Sequence, residues 1–469
     1  MAELLTRSSG RLRCIFVTVL WGDWHRNMFL DANLPTMLAR GNLPALFAGV
    51  DCEYLLYTTE QDAALMMQNA AFRRLNSLMT VSLKLFQPSK TAHPVVLQME
   101  IWREATAHAR SRASFVLFMP PDVAWADGSF AALRAALEAG KRAIFMSYPR
   151  VVSETIVPAL ADRFPRNGDE AATAPAKDMM ALAVAHIHPL MTAHSRSSTH
   201  FAIHPEMVLW PIEGDGFLLR HLARELFCFE PGRYPLNTNA LLARMPPDDE
   251  IHVFADSREF LGISFTPLWK DMEWYLRRSP LDPLFVGRWW VTYDSPINDY
   301  ISAIDFHFTC GQADEDPWRR AAQQARNLLA YLRSAREFLR ILMTLQKMGH
   351  LRAAQFLAAA LRVQGLARRW PHRGPFIVFA PTDEAFERVG FERVPGDGTS
   401  AADVRKMIES HVAIMPRQGA IKEGQVFRTL SGRDFQLENA GRAELCGDNT
   451  VLPIRDVLSG VDHELNEQN

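Results

Sequence analysis

Phe115-Val116-Leu117-Phe118-Met119-Pro120-Pro121-Asp122-Val123-Ala124-Trp125-Ala126-Asp127-Gly128 is the stretch that decides the fold class. It opens as an apolar run without a charge, which predicts a strand buried on both faces, as in a parallel sheet. The run stops at Asp122, and a second carboxylate, Asp127, follows just ahead of a glycine. Open α/β sheets bind ligands beyond the carboxyl ends of their strands. A buried strand ending in an acid is therefore a candidate place to hold a metal or a ribose, and points to nucleotide chemistry.

Working outward, residues 14–20 and 54–58 predict two further strands, and 143–147 a fourth. Helical spacing of apolar residues predicts helices over 62–78, 95–112 and 129–140, the last capped by Asp127 or Ser129 and stopped by Gly140. Residues 28–46 carry near-helical spacing interrupted by Pro35 and Pro44. Strands alternating with helices argue for an α/β domain around a largely parallel sheet. From 151 to 309 the pattern is less regular, with short strands expected at 251–254, 289–293 and 303–308. A long amphipathic helix or helix pair is expected over 318–348. The expected organisation is a first domain over 10–312, a helical connector over 313–349 and a last domain over 350–462.

A chain of 469 residues exceeds one ordinary core, in keeping with that division. Its 51 basic and 53 acidic residues nearly cancel, so no overall charge draws it to nucleic acid or to an anionic membrane. Five cysteines are scattered without a Cys-x-x-Cys pair, which argues against a sequence-local zinc site and for a reducing compartment. Arg7, Arg11 and Arg13 precede an apolar run too short for a signal peptide, and no run is long enough to span a bilayer. A cytoplasmic location is expected.

Phe376-Ile377-Val378-Phe379-Ala380-Pro381-Thr382-Asp383-Glu384-Ala385-Phe386 reads as a strand turning into a capped helix. It resembles the opening motif of fasciclin-like domains, Ala-Pro-Thr-Asp-x-Ala-Phe after an apolar strand. Ser410-His411-Val412, Thr429-Leu430-Ser431-Gly432 and Asn449-Thr450-Val451-Leu452-Pro453-Ile454-Arg455-Asp456-Val457-Leu458 are similar to that family's later elements, in the right order. The resemblance covers about 351–460 and implies an α+β fold that engages a protein partner. His411 reads as a core residue within such a fold.

The first domain carries its own resemblance. Thr18-Val19-Leu20-Trp21-Gly22-Asp23, Leu34-Pro35-Thr36-Met37-Leu38, Gly41-Asn42-Leu43-Pro44-Ala45-Leu46, Tyr57-Thr58-Thr59 and Pro121-Asp122 through Asp127-Gly128-Ser129 are similar to a group of bacterial A-type glycosyltransferases. That family has a nucleotide-diphospho-sugar transferase fold. The resemblance implies a nucleotide-sugar donor, a carbohydrate or glycoconjugate acceptor and a divalent cation, Mn²⁺ or Mg²⁺, that neutralises the departing diphosphate. Asp122 would hold the metal, with Asp127 and His307 as further candidates. Trp21 would stack on the base, Asp23 and Thr59 would meet the nucleotide, and Arg196 would set a counter-charge on the diphosphate. Asp215 or Glu213, in an acid-bearing turn, would be the general base.

Each of these residues also has an ordinary structural role open to it. Asp122 can be a turn residue, Asp127 a helix cap and Trp21 a cover over the core. Position 124 is Ala, where the family's Asp-x-Asp has its second acid. This motivates a second reading, a non-catalytic binding or scaffold protein on the same fold. His186, His188, His194, His200 and His204 motivate a third, a metal-dependent hydrolase.

Overall fold

The computed structural model describes residues 11–88, 94–222, 226–236, 242, 244–268, 275–311, 314–362, 376–388, 401–414, 424–437, 444–446 and 449–454. Residues 455–458, the end of the last fasciclin-like motif, lie outside them. The chain divides into two compact units, Met1–Pro280 with Ser295–Ala325, and Leu281–Asp294 with Arg326–Asn469.

The strands of the first unit are, in chain order, β1 (Leu12–Val19), β2 (Val50–Thr58), β3 (Thr80–Leu85), β4 (Phe115–Phe118), β5 (Val123–Trp125), β6 (Ala143–Met146) and β7 (Arg150–Val152). There follow β8 (Met207–Ile212), β9 (Gly216–His221), β10 (Cys228–Phe229), β11 (Ile251–Phe254), β12 (Gly262–Thr266) and β13 (Phe306–Thr309). Seven of them form one sheet in the order β11-β6-β10-β4-β1-β2-β3. Its pairings are parallel except at the two-residue β10, which runs against β4 and β6. The parallel-rich mixed α/β sheet expected from the sequence is present.

Alternation along β1 explains its unbroken apolar run. Cys14 and Phe16 enter one core with Tyr54, Leu117 and Phe130. Ile15, Val17 and Val19 enter the other with Leu55, Val116 and Phe118. Burying both faces is what a parallel sheet covered on two sides requires. Two smaller sheets complete the unit, β5-β12-β7 and β13-β9-β8.

Several local expectations are corrected. The helix expected over 62–78 is two, Glu60–Met67 and Ala70–Leu78, because Asn69 stops the first and caps the second through Phe72 N. The segment 28–46 folds as short pieces, including a π-helical turn Phe29–Asn33, and its prolines sit in the first turns of Leu34–Met37 and Leu43–Phe47. The helix Ser129–Glu138 takes Gly128 as its N-cap, without a side-chain cap; neither Asp127 nor Ser129 serves. The edge strand β3 was not anticipated, since its half-exposed Thr-Val-Ser-Leu-Lys-Leu lacks a strong apolar run.

In the second unit, the strand expected over 289–293 is part of the helix Pro283–Thr292. Asp282 caps it by accepting from Leu284 N, and Pro283 is pre-set for a first helical position. The long helix Glu315–Lys347 is present; its residues from Arg326 onward belong to this unit. Four strands, β14 (Phe376–Pro381), β15 (Val412–Ile414), β18 (Glu444–Cys446) and β19 (Asn449–Ile454), form a sheet ordered β15-β14-β19-β18. A hairpin of β16 (Val426–Arg428) and β17 (Asp434–Gln436) adds Phe427 to a core with Ile377, Phe379, Ala413 and Leu452.

Candidate functional site

Strand order locates the site. From β1 the chain moves outward to β2 and β3, then returns to place β4 on the other side of β1. The loops leaving β1 and β4 therefore diverge, and the crevice between them is where an open α/β sheet receives a ligand. Thr18 ties the two exits together, donating its hydroxyl to the Met119 carbonyl at 2.8 Å.

The exit of β1 is built around a carboxylate that the sequence reading passed over. Gly22 takes φ 81°, a conformation open to glycine, and its amide donates to Asp62 at 3.0 Å. The same carboxylate accepts from Arg26 at 2.6 Å and from the Thr59 hydroxyl at 2.8 Å. Asp62 is buried, and burial alone would raise its pKa. The Gly22 amide, the Thr59 hydroxyl and the Arg26 guanidinium outweigh that and hold it below the ordinary carboxylate value. Thr59 also caps the helix Glu60–Met67 by accepting from Asp62 N. The Thr-x-x-Asp spacing was the available signal. This frame presents Trp21, half-buried and edge-on to Phe86 with ring centroids 5.6 Å apart. His25 is exposed beside it, at 6.4 Å. Asp23 is exposed and accepts from Arg26 at 2.8 Å.

The exit of β4 is held from below. Asn33 donates to the carbonyls of Pro120 and Val123, at 2.9 and 2.7 Å, bracketing the turn that carries Asp122. Phe265 N in β12 donates to the Asp122 carbonyl at 2.8 Å. The Asp122 side chain is half-buried; desolvation pushes its pKa up, against the pull of His25 and Arg150. Arg150 heads β7 and belongs to this corner too. Ser264 of β12 is paired with Val123 on one side and Arg150 on the other.

The remaining expected residues are placed elsewhere or spent. The Asp127 carboxylate accepts the Gly41 amide at 2.7 Å, fixing the turn before the helix Ser129–Glu138. Ala124 is fully buried in β5 and paired with Ile263. Arg196 has an exposed side chain, and its amide donates to Leu209 in β8. Asp215 is 1% exposed and accepts from the Thr309 hydroxyl at 2.9 Å and the Trp318 indole at 3.1 Å. That burial removes it from the reach of an acceptor hydroxyl. Glu213 is exposed at the tip of the β8–β9 hairpin. His307 stacks on Trp318 at 5.0 Å and pairs with Asp256, beyond the end of β11.

The histidine group is structural where it is buried. His188 accepts from Leu190 N through Nδ1, which leaves Nε2 to donate to the Pro267 carbonyl. His194 lies between the carbonyls of Leu190 and His204.

A divalent cation requires convergent oxygen donors. Among the described residues no three His, Cys, Asp or Glu side chains converge. Asp122 is a single carboxylate in the field of Arg150, Asp127 is committed to Gly41, and His307 belongs to another corner. This donor set does not fit the expected metal.

No protein-family model matches the chain, and no curated protein matches it. Several solved structures are similar in part. One of them is the mannosyltransferase PcManGT from Pyrobaculum calidifontis, in complex with GDP-Man and Mn2+. The identity is 13%, the TM-score 0.24, and the likeness covers 77% of this chain and 84% of that one.

Proposed function

We propose that the first unit is a glycosyltransferase that takes a nucleotide-sugar donor at the crevice between β1 and β4. The observation that carries this is the reversal of strand order at β1, with an aromatic wall on one exit and a half-buried carboxylate on the other. Trp21 offers a flat face to a nucleobase, and base–aromatic stacking is worth about 1–3 kcal/mol. Asp23, exposed beside it, accepts ribose hydroxyls, while Thr59 holds Asp62 and so the loop. Asp122 faces the sugar end. Its raised pKa suits a base that takes the proton of an acceptor hydroxyl. The acceptor oxygen then bonds to the anomeric carbon as the bond to the diphosphate breaks.

Thermal unfolding of the full chain with UDP, GDP, ADP and CDP tests the reading. A ligand at a hundredfold its Kd stabilises the native state by about 2.7 kcal/mol. At least one diphosphate is expected to raise the Tm, and no response to any of them overturns the reading.

The buried Ala124 favours a second reading, a binding protein on this fold that does not turn its donor over. The two part on release of nucleoside diphosphate from a donor that binds. The second unit is proposed as a fasciclin-like accessory module that engages a protein partner. Its support is the run from β14 through Thr382 into the helix Asp383–Arg388, with His411 packed in the core.

A further inference from the structure

We infer that Arg150 is the counter-charge for the donor's diphosphate, so that this chain holds a nucleoside diphosphate without a divalent cation. The inference rests on the proposed function and deepens it.

The geometry begins with β12. Its central residue Ser264 is paired with Val123 and with Arg150, so the two flank it at one strand spacing each, about 10 Å apart across the strand. Backbone bonds fix both sides: Phe265 N donates to the Asp122 carbonyl at 2.8 Å and Ser264 N to the Pro149 carbonyl at 2.9 Å. This sets Arg150 level with Val123, the residue after Asp122, and mounts its guanidinium on a strand rather than on a loop. Its charge reaches Asp122, His188 and His194.

The guanidinium is accessible and its donors are unspent. Its side chain is 42% exposed. Among the described residues it makes no hydrogen bond, and its ion partner is Glu206 at 3.7 Å, itself 38% exposed. An exposed pair at that separation is weak and easily exchanged. Phosphate oxygens are better partners, because the planar five-donor fork matches them in paired hydrogen bonds.

The charge balance agrees. A metal would have to rest on one carboxylate, since among the described residues no three His, Cys, Asp or Glu side chains converge. With Arg150 set against it, Asp122 does not repel a diphosphate as a bare carboxylate would. As the glycosidic bond breaks, negative charge grows on the leaving diphosphate, and a fixed cation there favours the transition state over the ground state. Arg196, the counter-charge expected from sequence, is held to β8 by its backbone amide, and its guanidinium is exposed.

Titration calorimetry of the full chain with UDP and GDP, each in excess EDTA and in Mn²⁺, tests this. Binding in EDTA is expected to lie within about threefold of binding in Mn²⁺. Arg150→Met is expected to weaken it at least tenfold in EDTA, and Arg150→Lys to recover part of the loss. The unliganded Tm of Arg150→Met, which loses one exposed ion pair, checks that it is folded. Binding that needs Mn²⁺, or that Arg150→Met leaves unchanged, overturns the inference and leaves the donor site standing. No binding under either condition overturns the donor site and the inference with it.

Discussion

Asp62 shows how one side chain builds a site without touching a ligand. Three donors converge on it, so Asp62→Ala leaves the Gly22 amide without its acceptor and takes from Arg26 its buried partner, leaving it the exposed Asp23. Breaking a buried pair in this way costs about 3–5 kcal/mol. Chemical denaturation of the variant is expected to show a loss of that order, while Asp23→Ala, on an exposed partner of the same arginine, is expected to lose under about 1 kcal/mol. The pH dependence has a definite sign. The folded pKa of Asp62 lies below the unfolded one, so its contribution is present at neutral pH and is lost as pH falls through the folded value.

His411 has the opposite chemistry and a similar consequence. Burial drives its pKa from 6.5 to about 4, while Nδ1 donates to the Met407 carbonyl at 2.7 Å. Between those values the unfolded chain binds a proton that the native state refuses. Stability of the second unit should therefore fall below pH 6.5 and level off near pH 4, by about 3 kcal/mol in all. Denaturation midpoints across that range check it, and His411→Gln should flatten the slope.

At the scale of elements, the turn between β5 and the helix Ser129–Glu138 is a lock between two distant segments. Gly41 gives its amide to Asp127, and a Cβ built on Gly41 would lie 2.4 Å from Gly128 N. Asn42 accepts from Phe130 N in the same lock. Gly41→Ala therefore has to push backbone apart. It is expected to cost at least as much as the 1–3 kcal/mol typical of overpacking, read from its Tm against Gly168→Ala, where nothing crowds a Cβ.

The same lock explains what the sequence could and could not convey. The two acids after β4 were visible, because an apolar run ending in Asp122 is a local pattern. Their division of labour was not, because it depends on Gly41 and on β12, which are remote in sequence from both. Asp215 misled for the same reason: its glycine-flanked turn looks open, and only the arrival of Thr309 and Trp318 buries it. Arg150 carried no local pattern at all; pairing through Ser264 brings it level with Val123, the residue after Asp122.

For the whole molecule, the two compact units each have a core of their own. Buried apolar strands made the parallel sheet readable from residues 14–20 and 115–119, whereas the helix Pro283–Thr292 was hidden by its aromatic and β-branched composition. Among the described residues, no helix is long and apolar enough to cross a membrane. The proposed function sits at the carboxyl end of one sheet, at the exits of β1 and β4.

Hydrogen exchange of the full chain, followed by mass spectrometry with and without a saturating nucleoside diphosphate, tests that placement most directly. Slowed exchange is expected in peptides covering 19–27 and 117–126, with little change in the β8–β9 hairpin or in the second unit. Protection centred on the histidine segment 186–204 or on the second unit, with those two peptides unmoved, would contradict it.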